Sequence, residues 1–284
     1  MSNELMKAAV RYARELGWHV FPIHGIDDEG RCTCGREDCP RPGKHPVMAN
    51  GQDAATNDVM DIVEIWTKWP LSNIGIKTGP SSIDVLDLDD KEGKEFAKQY
   101  IQEWDTPTSE TGGGGLHLVY KHPAGGELRS SQRLWARGTL TDENGREKPN
   151  WLPIEFKGST GQFTAPPSRH ASGKRYAWKI DPFANKIKPL PKNVRQRMEE
   201  IEAERKERQR KALAKRKQYS ASTPELAVVA EALSFIPVRQ TNEEWFQCVA
   251  AVHSAFPGPE GVALIESWSP GYEGEVEERF ASLD

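Results

Sequence analysis

The chain has 284 residues, a formal net charge of −4 and a hydrophobic fraction of 37%. This length suits one large domain or two ordinary ones, and the composition is that of a globular protein with a sizeable core. No apolar run approaches the roughly 18 to 20 residues that a membrane span needs, and the N-terminus has the pattern of an amphipathic helix rather than of a signal peptide. We therefore expect a cytoplasmic protein with no membrane partner. The small net charge neither supports nor excludes nucleic-acid binding.

The first predicted elements alternate between helix and strand. Apolar residues at helical spacing predict a helix over residues 3–16, which Gly17 ends, and a strand over 18–23. A second helix is predicted over residues 58–69, and a short strand over 73–77. The opening of the chain is thus typical of a mixed α and β domain.

A loop rich in glycine and proline carries three of the four cysteines. The candidate ligands, with the spacing C-x-C-x4-C-x5-H, are Cys32, Cys34, Cys39 and His45. In a cytosolic chain this spacing indicates a metal site rather than disulfides, and a Cys₃His set is typical of a closed, structural zinc site. We expect zinc to order loop 30–47, which has little core of its own. Two alternatives remain open: His24 as the fourth ligand, and free thiols in a flexible loop.

Two aspartates interrupt an apolar strand pattern over residues 83–90. Residues two apart on a strand point to the same face, so Asp87 and Asp89 should project together while Leu86 and Leu88 pack behind them. Adjacent carboxylates repel each other unless a cation lies between them, and Mg²⁺ or Mn²⁺ prefers oxygen ligands. The alternative is an acidic turn at a strand end, and the Asp-x-Asp pattern alone favours that alternative.

The middle of the chain adds further candidate residues. After a helix predicted over 91–104, a run of glycines leads into an alternating strand that contains His117. The run matches neither a P-loop nor a dinucleotide-binding turn, and a lone strand histidine is more often structural than functional. Residues 123–150 are typical of a long polar loop or hairpin. The next strand places Glu155 and Lys157 on one face.

Three segments, taken in order, resemble the motifs of a known family. They are Val85-Leu86-Asp87-Leu88-Asp89, then Gly-Gly-Gly-Leu-His ending at His117, then Ile154-Glu155-Phe156 followed by Ala165-Pro166-Pro167-Ser168. The set resembles the bifunctional primase/polymerase domain of the archaeo-eukaryotic primase superfamily, over residues 5–180, and the cysteine segment resembles that of many members. The resemblance implies an α+β core with an RRM-like mixed sheet and a zinc-binding loop. Glu155 stands where many members carry Asp, which puts ligand geometry in doubt.

The resemblance also implies an activity, namely primer synthesis and extension by two-metal-ion nucleotidyl transfer on a single-stranded DNA template. The ligands implied for Mg²⁺ or Mn²⁺ are Asp87, Asp89 and Glu155. The residues assigned to the nucleoside triphosphate are His117, which matches a motif position of the family, with Lys157, Ser168 and Arg169. For Lys157 and Arg169 the alternative is a solvated loop face. Two alternatives remain: a metal-dependent nuclease that activates water with the same cations, and a non-catalytic, zinc-bearing replication initiator or nucleic-acid-binding protein.

The composition changes near residue 190. We expect a catalytic domain over 1–190, a charged helical connector over 191–221 and a small all-α domain over 222–284 with three or four amphipathic helices. The run Ala232-Leu233-Ser234-Phe235-Ile236-Pro237, with Trp245 and Trp268, resembles the helical domain often found after these primase cores. We also expect a piece of a longer replication protein of a phage, plasmid or other mobile element, with a replicative helicase in the same chain or in trans.

Overall fold

The computed structural model describes residues 4–101, 104–124, 128–131, 134–220, 225–236, 242–270 and 275–283, with the backbone alone for 214–220 and 242. Two compact units are present, Met1–Glu204 and Arg205–Asp284. The first unit combines helices with antiparallel sheets, and the second is helical, so the mixed α+β class is confirmed. In the described part of the chain, no helix is long and apolar enough to cross a membrane.

The helices are α1 (Glu4–Leu16), α2 (Val59–Lys68), α3 (Lys91–Tyr100), α4 (Lys192–Ser220), α5 (Leu226–Ser234), α6 (Asn242–Ala255), α7 (Pro259–Trp268) and α8 (Glu275–Ala281). Local sequence explains several of their ends. Gly17, with φ +68°, follows α1 in a conformation that glycine adopts at low cost. The Asp58 carboxylate accepts from the backbone N–H groups of Met60 and Asp61 at the start of α2, and Asp90 caps α3 through the Gly93 N–H.

The strands are β1 (His19–Ile23), β2 (Asn73–Lys77), β3 (Ile83–Leu88), β4 (Thr108–Glu110), β5 (Leu116–Lys121), β6 (Ala136–Thr141), β7 (Glu147–Trp151), β8 (Ile154–Lys157), β9 (Gln162–Ala165), β10 (Ala177–Ile180) and β11 (Lys188–Pro189). A small sheet has the order β1-β2-β9, and a larger one has the order β10-β4-β5-β3-β8 with β11 also paired to β5. The β11–β5 pairing is parallel, and the others in these two sheets are antiparallel. Strands β6 and β7 form the hairpin that was one reading of residues 123–150.

Strand β3 lies at the centre of the first unit and separates two hydrophobic cores. Leu86 and Leu88 join one core, to which α3 and the first turns of α4 contribute. Ile83 and Val85 join the other core, which contains α1, α2 and the small sheet. The prediction that Leu86 and Leu88 pack behind the aspartates is therefore confirmed, because Asp87 shares its strand face with Val85.

Two predicted elements differ from the structure. Helix α3 ends at Tyr100 rather than at residue 104, because Ile101 adopts an extended conformation with φ −106° and ψ 122°. The connector predicted over 191–221 is not polar throughout, since Val194, Met198 and Ile201 are buried in the core of the first unit. The sparse apolar residues of this segment share one face of its first turns, which is enough to dock them.

The second unit has its own small core. Helices α5 to α8 confirm the predicted number of short helices within the described part of this region. Their apolar faces bury Leu233, Trp245, Val249, Val252, Ile265, Val276 and Phe280. The Trp245 indole N–H donates to the Ser269 hydroxyl at 3.2 Å, and the Trp268 indole N–H donates to the Ile236 carbonyl at 3.1 Å. Pro237, part of the sequence run discussed above, lies outside the described residues.

Candidate active site

Strand register gathers the predicted catalytic side chains. Asp87 of β3 lies directly opposite His117 of β5 on one side and Glu155 of β8 on the other. Asp89 follows two residues later, is exposed, comes directly after the last residue of β3, and lines the same cleft as Asp87. Directly opposed residues of antiparallel strands have Cβ atoms only about 4.5–5.5 Å apart. The sheet thus holds three carboxylates and an imidazole in one group.

Lys157 supplies a positive charge inside this group. It lies two residues after Glu155 on the same face of β8, and its ammonium donates a hydrogen bond to the Glu155 carboxylate. The same Nζ lies 3.5 Å from Asp87 Oδ2. The charge of one lysine does not balance three carboxylates, so the cluster keeps a net negative charge.

The electrostatics of the cluster fit a hard divalent cation. Burial raises the pKa of Asp87, against the opposing effect of the nearby Lys157 ammonium. The pKa of Asp89 is also raised, by partial burial and by the charges of Asp87 and Glu155. Among the residues that the structure describes, Asp87 Oδ1 has no hydrogen-bond partner although it is buried. A buried, unsatisfied carboxylate oxygen beside two further carboxylates is a donor set that Mg²⁺ or Mn²⁺ can use.

His117 is neutral at physiological pH. Burial and the positive charge of Lys157 lower its pKa to about 3. Its Nδ1 lies 3.3 Å from the Ser109 hydroxyl, and its Nε2 lies 3.5 Å from Asp87 Oδ1. The ring packs against Phe163 and Tyr176. If the Ser109 hydroxyl donates to Nδ1, the ring proton is on Nε2, which lies on the Asp87 side of the ring.

The clustered residues form one wall of a cleft of about 500 Å³ between the two sheets. The small sheet contributes Phe21, Gly75 and Phe163 to the lining. Gly75 is required here because a Cβ atom at this position would lie 2.4 Å from the Phe21 ring. Cleft-lining residues that we did not single out from the sequence are Arg41, Lys44, His170 and Tyr176. Within the cysteine loop, the sequence Gly43-Lys44-His45-Pro46 was a usable signal for Lys44, but a role was predicted for His45 alone.

Two of the residues predicted to bind nucleotide are not in this cleft. Ser168 is fully buried, and its hydroxyl accepts a hydrogen bond from the Ile74 N–H at 2.9 Å, so it secures strand β2. The Arg169 guanidinium lies 2.6 Å from the Asp28 carboxylate. Neither residue lines the cleft, so we do not assign them to the triphosphate. His117 and Lys157 both line it.

The predicted zinc ligands also come together. The ligand atoms of Cys32, Cys34, Cys39 and His45 all lie within 4.8 Å of one another, so this group could hold a metal ion. His45 Nε2 is 3.4 Å from the sulfur atoms of both Cys32 and Cys39. The His24 ring packs against the His45 ring, with 4.4 Å between the centroids and 35° between the planes, while its Nδ1 lies 3.1 Å from the Thr33 hydroxyl. In this arrangement His24 packs beside the cluster and His45 is the fourth member.

Sequence comparison agrees with this picture. The family model described as bifunctional DNA primase/polymerase, N-terminal, matches residues 9–193, which is well over half of the chain. The match includes the carboxylate cluster, His117 and the cysteine loop, whereas the helical unit lies outside it. A search of curated proteins found no match. The resemblance inferred from the ordered motifs is thereby confirmed, and the chain belongs to the bifunctional DNA primase/polymerase family through the N-terminal domain of that family.

Proposed function

We propose that this protein is a nucleotidyltransferase that synthesises DNA primers on a single-stranded template and extends them from nucleoside triphosphates. The observation that carries the proposal is the position of Asp87, which lies opposite both His117 and Glu155 and has a buried, unsatisfied oxygen. The family match supports the same class of activity. A core with an RRM-like sheet, as in archaeo-eukaryotic primases, belongs to this proposal.

Asp87, Asp89 and Glu155 would hold Mg²⁺ or Mn²⁺. When bound, such cations supply Lewis-acid activation of a primer 3′-hydroxyl and neutralise charge on the triphosphate. The protein contributes the fixed positions of its ligands, since backbone pairing sets the spacing of Asp87 and Glu155 before any ligand arrives. Asp89, at the open end of the strand, leaves the cluster accessible to substrate.

His117 and Lys157 would bind and orient the triphosphate. A neutral His117 has an N–H to donate to a phosphate oxygen, and its position between Phe163 and Tyr176 restricts the orientation of the ring. The Lys157 ammonium already lies among the carboxylates and lines the cleft, so a triphosphate entering the cleft meets a positive charge there. Both side chains are held by strands rather than by loops, which limits the cost of ordering them on binding.

The Cys₃His cluster would hold a structural zinc ion, because its four ligands leave no open coordination position. The helical unit would serve primer initiation, as the C-terminal domain of a replication protein of a phage, plasmid or other mobile element. Initiation must bring two free nucleotides and a template together, whereas extension needs only one nucleotide and a held 3′-hydroxyl. A helicase, in the same full-length protein or in trans, would be the partner that opens the duplex.

Primer synthesis on unprimed, circular single-stranded DNA tests the proposal. We expect residues 1–284 to make labelled primers in Mg²⁺ or Mn²⁺, and the Asp87→Asn variant to make none. Residues 1–204, which retain the docked turns of α4, should extend a supplied primer but start one poorly. Degradation of the template without nucleotide incorporation would instead identify a nuclease. If residues 1–204 made primers as efficiently as residues 1–284, the role given to the helical unit would be refuted.

A further inference from the structure

The segment between the last two members of the Cys₃His cluster lines the candidate active site. It consists of Pro40, Arg41, Pro42, Gly43 and Lys44, and all of these except Gly43 line the cleft that also contains Asp87 and His117. The loop that would hold a structural metal thus also forms part of the wall that the substrate would face.

Gly43 links the metal cluster to the cleft. Its carbonyl accepts from the Asn73 side-chain amide at 3.1 Å, and Lys44, the next residue, directly precedes His45 of the cluster. Asn73 is buried, and its side chain also bonds the backbone N–H and carbonyl of Arg169, at 2.8 and 2.7 Å. Gly43 has φ +74°, and a Cβ atom there would lie 3.1 Å from the Ile26 side chain. The backbone that carries Lys44 is therefore fixed on one side by a metal ligand and on the other by the sheet.

Lys44 and Arg41 are cations available to a ligand. Both are exposed, and within the described residues neither forms an ion pair. Both line the cleft that also contains Asp87, Asp89 and Glu155, so a ligand bound at the carboxylate cluster would lie in the same cavity as these two cations.

The charge of the cleft favours a triphosphate as the ligand of these cations. Two divalent cations bound to three carboxylates retain too little positive charge to neutralise a nucleoside triphosphate. Lys157 supplies part of the deficit from within the carboxylate cluster, and Lys44 and Arg41 are further cations that line the cleft. We infer that Lys44, with Arg41, binds the triphosphate of the incoming nucleotide, and that zinc in the Cys₃His cluster controls nucleotide affinity by holding these residues in place. This inference rests on the proposed function and extends it to the zinc loop.

Nucleotide binding without catalysis tests the inference on residues 1–284. The dissociation constant of a fluorescent deoxynucleoside triphosphate is measured in Mg²⁺ without template, so that no incorporation occurs, and that of labelled single-stranded DNA is measured separately. We expect Lys44→Gln to weaken nucleotide binding about tenfold, equivalent to about 1.4 kcal/mol, with DNA binding unchanged. Lys98→Gln, an exposed lysine of α3, is the matched control and should change neither constant. An unchanged nucleotide affinity in Lys44→Gln, or a loss confined to DNA, would overturn the inference.

The link to the metal needs a second comparison. Protein stripped of zinc should lose nucleotide affinity to a similar extent, and Lys44→Gln should then have little further effect, because the residue is already displaced. Gly43→Ala, which crowds Ile26 but removes neither a ligand nor a charge, should weaken nucleotide binding with zinc still bound. Unaltered affinity in both the stripped protein and Gly43→Ala would refute the coupling. Absence of primer synthesis by the wild-type protein would refute the proposed function. The binding constants would still test whether Lys44 and the Cys₃His cluster act on nucleotide affinity.

Discussion

The two candidate metal sites of the first unit are built in opposite ways. The ligands of the carboxylate cluster project from adjacent, hydrogen-bonded strands, so their positions follow from backbone register. The Cys₃His ligands lie in a loop that pairs with neighbouring backbone only through isolated bridges, such as Ile26 with Cys32 and Ile23 with Pro46. We therefore predict that the first site is preorganised by the sheet, whereas the order of the second would depend on a bound ion. The two sites should therefore respond differently to loss of a ligand.

The largest expected effect is on catalysis at the sheet-built site. Asp87→Asn should reduce nucleotide incorporation by roughly three orders of magnitude or more, since one ligand of the reactive centre is lost. The fold should persist, because the substitution removes a buried charge rather than a packing contact. Primer-extension rates and thermal unfolding without added divalent cation measure the two quantities.

Asp84→Asn is the matched control for this prediction. It makes the same chemical change on the same strand, but on the face opposite to the cleft. We expect it to retain incorporation. Activity near the wild-type level in Asp87→Asn, or an equal loss in both variants, would contradict the assigned site.

At the Cys₃His site, loss of a ligand should affect the order of the loop over residues 30–47. We expect one zinc ion per chain, and Cys39→Ser should lose it and speed amide hydrogen exchange within 30–47 by on the order of a hundredfold or more. Strands β3, β5 and β8 should keep their protection. Elemental analysis and hydrogen exchange followed by mass spectrometry provide the readouts.

Cys248→Ser, in the helical unit, is the control for metal content and should leave the zinc bound. The proposed distinction between the two sites would fail if the loop kept its protection without metal, or if the strands lost theirs.

The next expected effect is on stability, and it compares the Lys157 ammonium with a divalent cation added to the carboxylate cluster. Lys157→Met leaves Asp87 and Glu155 without their ammonium partner, and we expect a loss of about 3 kcal/mol in unfolding free energy when no divalent cation is added. Added Mn²⁺ should stabilise this variant more than the wild type, because it binds where the lysine charge is missing. Chemical denaturation with and without Mn²⁺ measures the difference.

Lys121→Met, an exposed lysine of β5, is the matched control. It should show little loss of stability and a response to Mn²⁺ like that of the wild type. Equal responses of Lys157→Met and Lys121→Met would show that Lys157 does not compensate the carboxylates.

The smallest expected effect is the pH dependence of a carboxyl outside both sites. Asp84 is fully buried; its Oδ1 lies 2.8 Å from His122 Nδ1, and burial raises its pKa to about 6. A carboxyl whose pKa is higher in the folded than in the unfolded state stabilises the fold when protonated, and this stabilisation is lost as the pH rises through the folded value. Between pH 5 and 7.5 the wild type should lose about 1.4 kcal/mol relative to Asp84→Asn. Denaturant titrations of both proteins at the two pH values test this, and parallel pH profiles would contradict it.

Much of the candidate site was predictable because the patterns that reveal it are local. The two-residue period of a strand places Asp87 and Asp89 on one face and Leu86 behind them, whatever the strand pairs with. The Cys₃His ligands are also close to one another in the sequence, and Gly17 marks the end of the helix that it follows. These features depend on residues that are near one another along the chain, so the sequence alone was sufficient.

Other features depend on long-range pairing and were decided only by the tertiary structure. The sequence does not show that Asp87 lies opposite both His117 and Glu155, because strand register is set by contacts between distant segments. Nor does it show that Ser168 is used to secure β2, or that Lys44 lines the same cleft as the carboxylates. The sequence determined which chemical groups are present and which strand face bears them. The packing of the two sheets and the cysteine loop decided which of those groups share a cleft. Contacts between distant segments depend on the free energy of the whole fold, and the sequence of one segment does not fix them.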